Sequence, residues 1–196
     1  MSAAGEAALL PVFLKLEGRK VLVVGGGAVA ESKIQTLLAA RALVSVVAPE
    51  VRETIVATRV RVLRRPFAPA DVDGAWLVVA AAPFEVNRQV LAAAEARGVF
   101  VNAVDDPAHG SAYLGGVLRR GGVTIAVSTD GKAPALTGLL REALEAALPE
   151  DAAEWVTAAA ALREEQKRAR VPMGERRPLL LRALNRLYEG RLEVVS

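Results

Sequence analysis

The chain has 196 residues, 53% of them hydrophobic and 24% charged, with a net charge of only +3. That composition supports a sizeable core and excludes a disordered chain. The lack of cysteine excludes disulfides, thiolate metal sites and a cysteine nucleophile.

No apolar run reaches the roughly 18 residues that cross a bilayer. The opening MSAAGEAALLPVF lacks the basic segment of a secretion signal. A cytoplasmic protein without a membrane partner is expected. Aromatic residues make up 4%, too few for the stacking platforms of single-strand binders, so no nucleic-acid partner is expected. The sequence pI is about 9.6. A diffuse positive surface of this kind suits a polyanionic small molecule.

In chain order, LLPVFLKL at 9–16 alternates well enough to predict a short strand. Next comes KVLVVGGGAVA at 20–30, around which the chain is organised. Val21 to Val24 run straight into Gly25, Gly26 and Gly27, and Val29, Ala30, Ile34, Leu37 and Leu38 then follow helical spacing. Buried strand, glycine turn and helix form the context in which a G-x-G-x-x-G/A match, here Gly25, Gly27 and Ala30, signifies dinucleotide binding. Gly25 would make the tight turn, Gly27 would let backbone approach a pyrophosphate, and Ala30 would let helix pack on strand. The free N–H groups of the helix start would face the phosphates.

A second strand is predicted at 43–48, a short helix at 51–58, a brief strand at 60–63 and a loop marked by Pro66, Pro69 and Gly74. The wholly apolar AWLVVAAA at 75–82 reads as a parallel strand covered on both faces. A helix at 86–97 stops at Gly98, and a fifth strand at 99–104 delivers Asp105-Asp106-Pro107. This alternation predicts a doubly wound parallel sheet. Beyond it, a glycine-punctuated stretch ends in a strand at 123–128. A helix at 135–148 follows, then helices at 153–170 and 177–188. Boundaries are expected near 112 and 150.

Ligands of such a sheet sit beyond the carboxyl ends of its strands. Residues 25–29, Pro49-Glu50, Ala82-Pro83 and 102–106 should therefore converge. Asp105 or Asp106 could act as a general base there; turn-capping aspartates before Pro107 are the other reading. No acidic residue ends the second strand cleanly, since Glu50 comes two residues late and Arg52 lies beyond; spacing leans to NAD over NADP. In VSTDGKAP, Ser128, Thr129 and Lys132 precede a helix and could hold a carboxylate or phosphate, or form an ordinary helix cap. His109, the sole histidine, is a loop residue or a proton carrier near Asp105, and with no cysteine it cannot build a structural metal set. Trp76 and Trp155 read as core or interface residues.

LPVFLKLEGRKVLVVGGGAVAESKIQTLL, SVVAPE, VNAVDDP and VTIAVSTDGKAPALTGLLREALEAALP, in that order, resemble the precorrin-2 dehydrogenase/sirohydrochlorin ferrochelatase family over about residues 9–150. The resemblance implies an NAD-binding Rossmann domain at 1–112, a dimerisation region at 113–150 and a helical region at 151–196. It implies NAD-dependent oxidation of precorrin-2 to sirohydrochlorin by a homodimer, and in bifunctional members metal insertion, with Fe2+ or Co2+ as a substrate. It implies Asp105 as the catalytic aspartate, with cofactor contacts at Gly27, Ala28, Val29, Pro49, Glu50 and around Val104. The carboxylates of the tetrapyrrole would suit Lys132, Arg119, Arg120 and Arg141. The chain departs from relatives at Ala82-Pro83-Phe84 and at Gly115-Gly116, where a bulkier segment is usual. A dinucleotide-sensing regulatory module without turnover is the alternative function.

Overall fold

Five short apolar runs pair as parallel strands because helices cover both of their faces. The computed structural model describes residues 9–104, 106 and 109–192. Its described residues group into two units, one running to Leu114 together with Asp130–Lys132, the other comprising Gly115–Thr129 and the chain from Ala133 onward.

In the first unit, β1 (Lys20–Val24), β2 (Leu43–Val47), β3 (Arg61–Leu63), β4 (Leu77–Ala80) and β5 (Phe100–Ala103) form a parallel sheet of order β3-β2-β1-β4-β5. Helices α1 (Ala28–Ala39), α2 (Glu53–Val56) and α3 (Phe84–Glu95) connect them, with a 3-10 turn at Pro69–Val72. The strand order reverses between β1 and β4, which sets the ligand crevice there. Alternation divides the core in two. Val21 and Val23 join Ile34, Leu37, Ile55 and Val79 on one face. Leu22 and Val24 join Val78, Ala80, Val90 and Ala94 on the other. Each such valine, leucine or isoleucine contributes about 1.5–3 kcal/mol by burial.

The segment at 9–16 forms no strand. Pro11 has no N–H to donate, and the edges of the five-stranded sheet do not include it. Leu16 is buried, but Leu10 and Phe13 stand largely exposed. Trp76 is half exposed, with the Arg19 guanidinium 3.9 Å above its ring.

The second unit begins with a hairpin that the sequence reading did not resolve. β6 (Gly116–Arg120) pairs antiparallel with β7 (Val123–Val127). Gly121 and Gly122 both take positive φ, the conformation a two-residue hairpin turn requires. Three helices follow, α4 (Pro134–Ala147), α5 (Ala152–Arg168) and α6 (Met173–Leu192). α6 starts earlier than its sequence predicts and carries Pro178 inside it. The Gly115 departure has a packing reason: a Cβ there would lie 2.2 Å from the Val127 carbonyl oxygen.

Candidate functional site

Backbone hydrogen bonds tie the carboxyl ends of four strands into one edge. Gly25 N–H donates to the Val47 carbonyl at 3.0 Å, Ala81 N–H to Val24 at 2.8 Å, and Val104 N–H to Ala80 at 3.1 Å. The turns after β1, β2, β4 and β5 therefore emerge together, as the sequence reading expects.

The three glycines differ in what requires them. Gly25 has φ +125°, and a Cβ on it would meet the Ala81 carbonyl oxygen at 2.1 Å. A Cβ on Gly26 would meet the Glu50 carbonyl oxygen at 2.1 Å, so the loop after β2 is seated directly on this glycine. Gly26 is a site residue the motif notation hides, because it occupies an "x" position. A Cβ on Gly27 would meet nothing within 4 Å, and the φ of −86° there suits any residue. The protein's own packing does not need that glycine. What its bare backbone leaves open is the approach to the start of α1.

That helix start is uncapped. Gly27 supplies no side-chain cap, and the first helical bond is Glu31 N–H to Gly27 at 3.0 Å. The N–H groups of Ala28, Val29 and Ala30 therefore lack an intrahelical acceptor, and the positive end of the helix points the same way. Val29 is half exposed here. Open space, unsatisfied donors and a positive dipole fit the pyrophosphate of a dinucleotide. On the adjoining β2 loop, Pro49 and Glu50 are exposed. Burial lowers the pKa of the Lys33 ammonium on α1 below the ordinary lysine range.

At β4 and β5, Asn87 is buried and its Oδ1 accepts from Ala82 N–H at 3.0 Å, fixing the turn into α3. Asn102 is buried too; its amide donates to the Ala112 carbonyl at 2.9 Å, while its Oδ1 has no partner among the described residues. An orphaned buried acceptor at the carboxyl end of a strand is the kind of group a ligand donor satisfies. Asp105 lies outside the described residues. Asp106 beside it holds His109, whose Nδ1 is 2.8 Å from each carboxylate oxygen, and His109 is itself exposed. A cavity of about 670 Å3 opens between α3 and β5, lined by Phe84, Arg88, Leu91, Phe100, Asp106 and His109. It does not reach the glycine turn, where the open crevice is the feature that matters.

The residues expected to meet substrate are more dispersed. Arg120 and Arg141 converge on Glu145. Arg120 donates to the carbonyls of Glu145 and Leu148 at the end of α4, and Arg141 Nη1 lies 2.8 Å from the Glu145 carboxylate. Thr129 Oγ1 accepts from Ala133 N–H at 3.1 Å and lies 3.0 Å from Thr137 Oγ1, which ties the loop to the start of α4. Arg119 is exposed on β6, and Ser128 and Lys132 are exposed on the loop. Among the described residues no group of three or more acidic or histidine side chains could hold a metal ion, and no helix is long and apolar enough to cross a membrane.

A parallel sheet whose first strand opens through a glycine turn onto an uncapped helix defines a Rossmann-type dinucleotide-binding protein. Comparison with known proteins agrees. The family model described as "Putative NAD(P)-binding" matches residues 12–116, and the chain belongs to that family. The model described as "Sirohaem biosynthesis protein central" matches residues 120–147. "Siroheme synthase 3" of Aeromonas hydrophila is 43% identical over 173 residues, covering 86% of this chain and 37% of the relative. "Siroheme synthase" of Photorhabdus laumondii is 40% identical over 181 residues, covering 90% of this chain and 38% of the relative. The chain thus spans less than two-fifths of the curated relatives it matches. The solved structure of "SirC, precorrin-2 dehydrogenase" superposes with a TM-score of 0.68 at 28% identity, covering 89% of this chain and 88% of that one.

Proposed function

We propose that the chain is an NAD-dependent precorrin-2 dehydrogenase, forming sirohydrochlorin for sirohaem or related tetrapyrrole synthesis. The observation that carries this reading is the similarity to SirC, which extends over nearly all of both chains and not over the nucleotide-binding unit alone. The cofactor is held at the strand ends: Gly25 and Gly27 leave the backbone bare, Ala28 and Val29 present the helix N–H groups, and Pro49, Glu50 and Val104 border the crevice.

When bound, NAD supplies the hydride acceptor. The oxidation removes a hydride and a proton together. Asp105 takes the proton on a carboxylate oxygen as the hydride leaves, a general-base role. Ser128, Thr129, Lys132, Arg119, Arg120 and Arg141 are the proposed substrate-side residues. Glu145 pairs with Arg120 and Arg141, and Arg119 and Lys132 are exposed to solvent. A homodimer belongs to the same proposal. No residue of α4 is buried, and Leu136, Leu139, Leu140 and Leu144 leave a continuous apolar stripe exposed at helical spacing. A second copy of the chain would cover it. A cytoplasmic location follows from the use of the intracellular NAD pool.

The test is anaerobic incubation with enzymatically made precorrin-2 and NAD, followed by the sirohydrochlorin spectrum. Oxidation that requires NAD is expected, and Asp105→Asn should slow it by about a hundredfold or more while the protein stays folded. Ferrous or cobaltous ion added afterwards reports whether the chain also inserts metal. NAD binding with no oxidation would overturn the enzyme reading in favour of a dinucleotide sensor. Wild-type turnover by folded Asp105→Asn would remove Asp105 from its role.

A further inference from the structure

Where a Rossmann site binds NAD, an acidic residue at the end of β2 usually accepts from the ribose 2′-hydroxyl; where it binds NADP, an arginine nearby holds the 2′-phosphate. Here β2 ends in Val47 and continues into Ala48-Pro49, with no carboxylate at that point. Two arginines do stand in this corner, Arg52 and Arg64. A free guanidinium in this corner would suit a 2′-phosphate.

The structure shows both guanidinium groups already engaged. Arg64 donates to the Glu53 carboxylate at 3.2 Å and to the Val51 carbonyl at 3.4 Å. Arg52 is the better placed of the two, because its backbone N–H donates to the Gly26 carbonyl at 3.0 Å, inside the glycine turn itself. Its Nε lies 3.0 Å from Glu31 Oε2, and Glu31 is the more enclosed partner, with 26% side-chain exposure against 53% for Arg52. Glu31 sits in the first turn of α1, where the helix dipole favours a carboxylate. The carboxylate is thus anchored and the arginine is drawn to it. Glu50, exposed on the same loop, adds a further negative charge to this corner.

The geometry points to Glu31 as the residue that sets cofactor choice: by holding Arg52, it withholds from the adenosine ribose the cation that a 2′-phosphate needs, and so excludes NADP. Selectivity then comes from an ion pair across the crevice, not from an acid at the end of β2. Glu31 is a positioning residue acting through Arg52, and the inference rests on the dinucleotide-binding reading above.

The measurement is the dissociation constants of NAD+ and NADP+ by calorimetric titration for wild type, Glu31→Gln, Arg52→Ala and the double variant, with thermal melting as a folding control. Wild type should prefer NAD+. Glu31→Gln should shift the preference toward NADP+ by about tenfold, as a guanidinium becomes free to form charge-assisted bonds to phosphate. NAD+ affinity should stay nearly constant. The shift should vanish in the double variant and weaken as salt rises. An unchanged ratio in folded Glu31→Gln, or a shift that survives Arg52→Ala, overturns the inference alone. Failure of the wild type to bind NAD+ overturns the dinucleotide reading and this inference with it.

Discussion

Val78, Val79 and Ala80 of β4 are wholly shielded from solvent, whereas Leu139 of α4 is 64% exposed. The first unit closes its own core, with helices over both faces of a parallel sheet. The second packs a two-stranded hairpin with three helices, and no residue of the first of these, α4, is buried, while a two-stranded hairpin by itself is marginally stable in water. A self-sufficient core is what a nucleotide cradle needs, because the open backbone at Gly27 holds its shape only if the strands beneath it are fixed. Exposed leucines are what an interface needs. The two units differ in build: one closes a core beneath a nucleotide site, and the other leaves an apolar helix face exposed, which suits the second copy proposed above.

Substitutions can break this contrast. The largest effect is expected at Ile34, fully buried against β1 and β2. Ile34→Ala should lower stability by about 3–4 kcal/mol in chemical denaturation. Leu139→Ala, by contrast, should change monomer stability by no more than about 0.5 kcal/mol. Equal effects from the two would erase the distinction between the units. Next comes Gly26→Ala, where a methyl group would collide with the Glu50 carbonyl. It should destabilise by about 2–3 kcal/mol and weaken NAD+ binding, because the β2 loop must move.

In the second unit, Leu139→Asp should weaken self-association by about 2 kcal/mol, roughly thirtyfold, seen as a single-chain mass in sedimentation at concentrations where wild type is dimeric. A wild type that is already monomeric would remove the proposed partner for the leucine stripe.

The smallest effect is at Asp71. Its carboxylate takes a two-pronged contact from Arg65 and accepts from Ala68 N–H at 2.8 Å. The bond from Arg65 chiefly, helped by the Ala68 N–H, lowers its pKa below the ordinary carboxylate value. A depressed folded-state pKa stabilises the protein above the unfolded value near 3.9, and that contribution is lost as pH falls through the folded value. Asp71→Asn should therefore cost about 1 kcal/mol at pH 7, since Arg65 is partly exposed. The difference from wild type should disappear once pH falls below the folded value. A difference that persists there would point to shape and not charge.

The parallel sheet was legible because AWLVVAAA and KVLVV are apolar without alternation, which only burial on both faces explains. Gly25, Gly27 and Ala30 marked the cradle for the same local reason. What escaped was everything set by non-local contact. Gly26 is required by a carbonyl that arrives from beyond β2. The pairing of Glu31 with Arg52 spans a strand and a turn. β6 was hidden by Gly115 and Gly116, whose need is a close approach to Val127 and Thr137. The run at 9–16 misled in the opposite direction, since alternation promises a strand only where a neighbouring edge can receive it, and Pro11 withholds a donor.

Gly27 offers the most direct measurement of the central claim, because neither packing nor backbone conformation requires a glycine there. NAD+ should be titrated calorimetrically into wild type and Gly27→Val, with both melted in parallel. The account predicts matching melting temperatures within a few degrees and an NAD+ affinity at least about tenfold weaker in the variant. Gly27→Val binding NAD+ as tightly as wild type would mean that the crevice between the strand ends is not where the dinucleotide lies.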